Sequence, residues 1–198
     1  MNYLAHIYLS GDNDFIKIGN FMADSVKGSQ FKSYENEIQK GILLHRFIDS
    51  FTDFHPVYRK SKHRLHEKYG HYSGVIMDIF YDHFLAKNWT LFSTISLHLY
   101  SQNFYDLVTL HFDKLTEKTQ KMLPYMIQHN WLASYATIEG IETILMQMDY
   151  RTKYKGNMSH ATHELKLFYN EFETEFFIFF TELINMCKQK TNELHELL

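Results

Sequence analysis

The chain has 198 residues, which is enough for one domain with a substantial core and too few for two. Only 8 glycines and 2 prolines are present, so turn formers are too scarce for an all-β sandwich or barrel, and the composition favours an all-α fold. The net charge of −3 gives no general attraction to nucleic acid or to an anionic membrane, so we expect neither as a partner.

A succession of amphipathic segments predicts a single-domain helical bundle over residues 1–198. Gly28 ends the first segment, Pro56 begins the third and Gly70 ends it, in line with the preferences of glycine and proline at helix ends. The predicted helices span residues 14–27, 35–54, 56–70, 72–86, 93–110, 116–127, 130–150 and 159–188. In the last of these, apolar residues recur at steps of three and four, which indicates core packing.

Cys187 is the only cysteine, which excludes an intramolecular disulfide and a metal cage built from cysteines. The N-terminal sequence MNYLAHIYL lacks the basic region and long apolar stretch of a signal peptide. The most apolar run, residues 176–180, is far shorter than a membrane span. We therefore expect a cytoplasmic protein that does not bind a membrane.

Histidine and acidic residues follow a helical spacing in the segment GILLHRFIDSFTDF. His45, Asp49 and Asp53 lie four residues apart, and each such step turns about 40° around a helix, so the three side chains share one slowly drifting face. Imidazole and carboxylate together suit Mn, Fe, Zn or Mg. This face is therefore a candidate metal site.

Two further carboxylates lie on the next predicted helix, within the apolar segment VIMDIFYDHFLA. Asp78 and Asp82 are also four residues apart, and the sequence offers no Lys or Arg until Lys87. Buried carboxylates are costly unless they are paired, hydrogen-bonded or bound to a cation. These two side chains therefore need a positive partner from elsewhere in the fold.

Three interpretations of these residues remain open. A divalent metal could neutralise the carboxylates, an ion-pair network bridged by Arg46 could do the same, or the residues could form ordinary exposed polar faces. His6, in the apolar sequence AHIYL, is either a hydrogen-bonded core histidine or part of the site. Asp24 lies near a predicted helix C-terminus, where an acid is electrostatically unfavourable, and this position favours a functional role.

Four sequence blocks resemble a known family. MNYLAHIYLS, GNFMADSVKG, GILLHRFIDSFTD and MDIFYDHFLAKNW are similar, in this order, to the motifs of the acyl carrier protein phosphodiesterases, and NWLASYATIEGIETILMQM extends the resemblance more weakly over residues 1–151. The resemblance implies an all-helical fold related to the HD-domain metal-dependent phosphohydrolases. It also implies removal of the 4′-phosphopantetheine arm from holo acyl carrier protein with the help of a divalent cation. Mn²⁺ is typical, and Mg²⁺ or Fe²⁺ remain open.

The matching positions suggest roles for individual residues. One departure is that the His-Asp dipeptide of HD-domain enzymes is replaced by Asp82-His83. Arg46 is suited to clamping a phosphate through its planar fork of donors, and His83 or His6 could protonate the serine leaving group. We expect metal ligands at Asp24, His45, Asp78 and Asp82, and catalytic roles for His83, His6, Arg46 and Asp49.

The sequence YRKSKHRLHEK at residues 58–68 carries five Lys or Arg residues and a single Glu. It is either a solvated helix face or a docking site for acyl carrier proteins, which are acidic around the modified serine. Two other functions remain open for the chain: a metal-dependent phosphohydrolase acting on a nucleotide or another small phosphodiester, and a non-catalytic helical binding module whose acids form a salt-bridge network.

Overall fold

The computed structural model describes all 198 residues and contains eleven α-helices, several short 3₁₀ turns and no strand. The helices are α1 (Tyr3–Leu9), α2 (Asp14–Met22), α3 (Asn36–Phe54), α4 (Pro56–Tyr69), α5 (Ser73–Lys87), α6 (Leu97–Leu110), α7 (Glu117–Gln128), α8 (Trp131–Ser134), α9 (Ile138–Arg151), α10 (Thr162–Leu167) and α11 (Tyr169–Leu197). The all-α prediction is confirmed.

Some helix boundaries differ from the predicted ones. The pattern does not predict α1, whose seven residues are too short for an apolar stripe to be read. The predicted helix 130–150 is two helices, because Thr137 begins α9 as its N-cap and accepts a hydrogen bond from the backbone of Gly140 at 3.1 Å. The predicted helix 159–188 is likewise divided into α10 and the longer α11.

The core is formed largely by one face of α11. Phe172, Phe176, Phe179, Phe180 and Leu183 are fully buried, and the helix packs against α3, α4 and α5. The predicted core stripe on this segment is therefore confirmed. No helix combines the length and the apolar character needed to cross a membrane.

Helices α2 and α3 approach each other very closely at two glycines. A Cβ atom on Gly19 would lie 2.2 Å from the Ile38 carbonyl oxygen, and one on Gly41 would lie 2.2 Å from the Ile16 carbonyl oxygen. No other residue type fits at either position without moving the helices apart. The close approach brings Asn20 on α2 against His45 on α3.

Candidate metal centre

A polar pocket of about 240 Å³ lies where α1, α3 and α5 meet the 3₁₀ turn that follows α2. The face of α3 predicted from the steps of four opens onto this pocket. The acidic and imidazole side chains in its wall are His6, Asp24, His45, Asp49, Asp53 and Asp78. The structure thus brings together side chains from four separate segments of the chain.

Three of these side chains could bind one metal ion. His6, His45 and Asp49 present ligand atoms that all lie within 4.8 Å of one another. The Nε2 atom of His6 lies 3.2 Å from Asp49 Oδ1, and Nε2 of His45 lies 3.1 Å from Asp49 Oδ2. The two imidazole rings are stacked, with centroids 4.1 Å apart, and both Nε2 atoms face the Asp49 carboxylate.

The side chain of Asn20 contacts both rings on the side opposite Asp49. Its side-chain NH₂ donates to the His6 carbonyl oxygen at 3.0 Å and to Ser10 Oγ at 2.9 Å, which fixes the orientation of the amide. Its Oδ1 atom therefore faces the histidines and lies 2.8 Å from His6 Nδ1 and 3.0 Å from His45 Nδ1. Asn20 is not among the residues predicted from the sequence, where its place in the apolar segment DFIKIGNFM is the available signal. In the structure it is fully buried, and a buried amide needs hydrogen-bond partners.

The position of this amide determines the tautomer of each histidine. Because Asn20 Oδ1 can only accept, each Nδ1 must carry the proton, and the backbone carbonyl of Asn20 imposes the same choice on His45 at 2.9 Å. In a neutral ring this leaves the lone pair on Nε2, directed at Asp49. Metal-binding histidines are generally oriented by such a hydrogen bond from the other ring nitrogen.

In the absence of a cation, the close contacts between the histidines and the carboxylates depend on which of these groups are protonated. Burial disfavours a charged His45, but hydrogen bonds with Asp24 and Asp49 outweigh it and raise the pKa of His45 to about 9. Burial likewise disfavours ionisation of Asp49, yet hydrogen bonds with the two histidines hold its pKa well below the usual range. Burial and the neighbouring His45 lower the pKa of His6.

The charge of the pocket also favours a bound cation. Asp24, Asp49, Asp53 and Asp78 all line it, and they outnumber the two cations present, protonated His45 and the Met1 amino group, so the pocket would repel an anion such as a phosphodiester. A divalent cation held by two imidazole nitrogens and carboxylate oxygens would reverse this local charge. The donor set therefore fits a divalent cation.

Asp24 and Asp78, both expected as ligands, line the pocket beside the three central side chains. Asp24 Oδ1 lies 3.2 Å from His45 Nε2, and hydrogen bonding to that ring lowers the pKa of the Asp24 carboxyl. Asp78 Oδ1 accepts hydrogen bonds from the Tyr58 hydroxyl at 2.6 Å and from the Met1 amino group at 3.0 Å.

The structure does not bring Asp82 to the pocket. It is fully buried at the N-terminus of α1, where its two oxygens accept hydrogen bonds from the backbone N–H groups of Asn2 (3.1 Å), Leu4 (2.8 Å) and Ala5 (3.4 Å). Burial raises the pKa of Asp82 to about 7, although these N–H groups act in the opposite direction. The positive partners that Asp82 needs are thus the Met1 amino group and the N–H groups of the first turn of α1, which Asp82 holds in place. This position does not support the expectation that Asp82 is a metal ligand.

His83 and Arg46 also lie outside the pocket lining. His83 is buried, with Nδ1 2.8 Å from the Tyr135 carbonyl oxygen and Nε2 2.9 Å from the Tyr169 hydroxyl, so neither nitrogen is free to protonate a leaving group. Arg46 donates to the carbonyl oxygens of Val26 (3.0 Å) and Gly28 (2.9 Å).

Arg46 forms no ion pair with any of the acids. The alternative of an ion-pair network bridged by Arg46 is therefore wrong. The two contacts attach Arg46 to the turn after α2, and its assignment as a phosphate clamp stays a prediction.

Much of the basic segment at residues 58–68 is already paired within the fold. Arg64 forms two hydrogen bonds to the buried Glu175 on α11, at 2.6 and 2.8 Å, and Lys60 also pairs with Glu175 at 3.2 Å. Lys68 pairs with the buried Glu164. Arg59 and Lys62 form no ion pair.

Comparisons with known proteins agree with the resemblance noted in the sequence and extend it. The profile of the family described as acyl carrier protein phosphodiesterase matches residues 1–183, well beyond residue 151. The acyl carrier protein phosphodiesterase of Photorhabdus laumondii subsp. laumondii is 30% identical over 96% of both chains. The protein of the same name from Pectobacterium atrosepticum is 29% identical over 95% of this chain and 98% of its own. No solved structure matches the chain.

Proposed function

This chain belongs to the acyl carrier protein phosphodiesterase family, and we propose that it hydrolyses the phosphodiester of holo acyl carrier protein in the pocket of His6, His45 and Asp49. The products are 4′-phosphopantetheine and the apo carrier protein with a free serine hydroxyl. The observation that carries the proposal is the pair of imidazole rings that Asn20 orients toward Asp49.

We assign the metal to His6 Nε2, His45 Nε2 and the carboxylate of Asp49, with Asp24 beside His45 to complete the donor set. When bound, a divalent cation polarises the phosphoryl oxygens and lowers the pKa of water from about 15.7 toward roughly 7. We propose Mn²⁺ because the family resemblance implies it, and Fe²⁺ and Mg²⁺ are alternatives because the same imidazole nitrogen and carboxylate oxygen ligands serve all three. His6 and Asp49, expected from the sequence as catalytic groups, thereby become ligands.

Proton transfer in this proposal depends on Asp78. Its Oδ1 is held by Tyr58 and the Met1 amino group, which orients the carboxylate in the pocket wall, and its Oδ2 forms no hydrogen bond and can accept a proton from the attacking water. The departing serine oxygen needs one proton, so the same proton can be passed to it. Asn20 keeps both rings in place, and Asp82 holds the first turn of α1 on which His6 depends.

The relationship to HD-domain phosphohydrolases remains part of this proposal. The candidate ligands all project from helices or from a helical turn, as expected for that group. His45 and Asp49 lie one helical turn apart and bring an imidazole and a carboxylate to the proposed metal, whereas the reversed dipeptide Asp82-His83 lies outside the pocket. We further propose that the whole of residues 1–198 forms one catalytic domain, since a single core of 47 buried residues runs from Met1 to Leu194.

Ion pairs within the fold limit which side chains of the basic segment at residues 58–68 can contact the carrier protein. Because Lys60, Arg64 and Lys68 balance buried acids, we propose that only Arg59 and Lys62 attract the acidic carrier. Reversing both to Glu should raise KM for holo carrier protein and leave kcat within twofold. A fall in kcat as large as the rise in KM would contradict docking at this site.

The test of the function is a mass-spectrometric assay. Purified protein is incubated with holo carrier protein and Mn²⁺, and the carrier is weighed for loss of the phosphopantetheine arm. We expect loss with the unaltered chain, a rate at least about 100-fold lower for Asp49→Asn, and no turnover after chelation of the metal.

His83→Gln is the control. Because His83 lies outside the pocket, kcat of this variant should stay within about threefold of the unaltered value. Loss of a general acid would instead lower kcat about 10²–10⁴-fold. No loss of the arm with Mn²⁺, Fe²⁺ or Mg²⁺ would refute the proposed function. Cleavage of a nucleotide diester in its place would favour the broader phosphohydrolase alternative.

A further inference from the structure

A second cavity of about 230 Å³ lies directly beside the metal pocket. The two share Met1, Asp24 and Asp78 in their walls, so a molecule can extend from one into the other. The remaining wall comes from different elements and is mostly apolar. Its large side chains are Tyr3, Val75, Trp131, Tyr135, Ile144 and Met148.

We propose that this second cavity binds the pantetheine arm next to the scissile phosphate. The inference rests on the proposed function and adds to it a binding site for one half of the substrate. With the phosphate at His6, His45 and Asp49, one substituent of phosphorus has to leave the metal pocket toward the shared wall. The arm fits there better than the serine side, because a narrow concave cavity admits a flexible chain and not the surface of a folded protein.

The chemistry of the cavity matches the arm. Beside its phosphate, pantetheine carries a quaternary carbon with two methyl groups, then a hydroxyl and an amide. Apolar walls such as Ile144 and Met148 suit the methyl groups, and the side-chain amide of Gln147 can hydrogen-bond the polar atoms that follow.

Trp131, whose side chain lines the cavity, carries a donor that forms no hydrogen bond. Its indole N–H is buried and has no acceptor anywhere in the chain, although buried donors are nearly always paired. An amide carbonyl of the arm would supply that acceptor. The guanidinium of Arg151 lies over the same indole, 5.6 Å from the ring centroid, and limits its movement.

A matched pair of variants on α9 tests the cavity. Met148 lines it, whereas Met146 is 53% exposed and does not. We expect Met148→Trp to lower kcat/KM for holo carrier protein at least tenfold by filling the cavity. Hydrolysis of bis(p-nitrophenyl) phosphate, a diester without the arm, should stay within twofold with Mn²⁺. Met146→Trp should leave both activities within twofold.

A measurement on the unaltered protein keeps the inference testable if Met148→Trp does not fold. Free 4′-phosphopantetheine should inhibit hydrolysis of bis(p-nitrophenyl) phosphate at least tenfold more strongly than inorganic phosphate does. Trp131→Phe keeps a ring but removes the N–H, and should weaken that inhibition about three- to tenfold, as expected for one hydrogen bond.

The outcomes separate the two proposals. Equal inhibition by phosphopantetheine and phosphate, or undiminished cleavage of holo carrier protein by a folded Met148→Trp variant, would overturn the arm site and leave the proposed function intact. Failure of the unaltered protein to cleave holo carrier protein would overturn the proposed function, and the arm site with it.

Discussion

At the scale of single residues, the buried amide of Asn20 determines which nitrogen of each histidine faces the pocket. Its NH₂ group is committed to the His6 carbonyl and to Ser10, so its oxygen must accept from both Nδ1 atoms. The chemistry of His6 and His45 therefore depends on a side chain that lies behind their rings, away from the carboxylate of Asp49.

Replacing Asn20 tests this dependence. Asn20→Leu removes the acceptor and frees both rings to rotate, so Mn²⁺ affinity measured by isothermal titration calorimetry should fall about 10–100-fold. Asn20→Asp is the control, because it keeps an acceptor oxygen for the two Nδ1–H groups and should retain more affinity than Asn20→Leu. Unaltered affinity in a folded Asn20→Leu variant would contradict the orienting role.

The sequence indicates some of these residues and not others for identifiable reasons. His45, Asp49 and Asp53 repeat every four residues on one helix, so their shared face can be predicted. The partners of Asp82 and His83 cannot be predicted in this way, because α5 is buried around most of its perimeter and those partners come from distant segments.

At the scale of elements, the close approach of α2 and α3 sets the geometry of the pocket. Gly19 and Gly41 allow the two backbones to touch, and Asn20 and His45 follow within one helical turn. Neither glycine marks a turn in the sequence pattern, so the contact becomes visible only in the folded chain.

Gly41→Ala tests this contact. The added methyl would meet the Ile16 carbonyl oxygen at 2.2 Å, so we expect a loss of about 1–3 kcal/mol in the free energy of unfolding and weaker Mn²⁺ binding. Gly74→Ala on α5 is the matched control, since the nearest atom is the Lys62 Cδ at 3.8 Å and the change should be neutral or slightly stabilising. Both are measured by urea denaturation, and equal stability of the two variants would refute the account of the α2–α3 contact.

Helices α4 and α11 are held together by a buried ion pair that responds to pH. Burial opposes ionisation of Glu175, but hydrogen bonds from Arg64 and Ser61 outweigh it and hold the pKa of Glu175 below its usual value of 4.5. A depressed carboxyl pKa contributes stability above the unfolded value, and this contribution is lost as the pH falls through the folded value.

We therefore expect Glu175→Gln to unfold at a lower temperature than the unaltered protein at pH 7, with a cost of about 1–3 kcal/mol. The difference in Tm should shrink as the pH falls below about 4.5. Thermal unfolding followed by circular dichroism between pH 3 and pH 7 measures it. A difference that stays constant, or grows, at low pH would show that the pair does not act through the charge of Glu175.

At the scale of the whole molecule, the acidic and the basic side chains are used in different ways. The pocket gathers four carboxylates, while three cations of the basic segment are used to balance Glu164 and Glu175. Composition and helical periodicity are sufficient to predict an all-α protein and the polar face of α3. They cannot predict which cations remain free, because pairing across α4 and α11 depends on the packed arrangement.

We propose that one divalent metal is held by His6, His45 and Asp49. The most direct measurement is the anomalous scattering of Mn²⁺ in crystals of the protein grown with that ion. We predict an anomalous peak within coordination distance of His6 Nε2, His45 Nε2 and an Asp49 oxygen. A peak at Asp82 or His83, or no peak at these three side chains in a preparation that cleaves holo carrier protein, would contradict the claim.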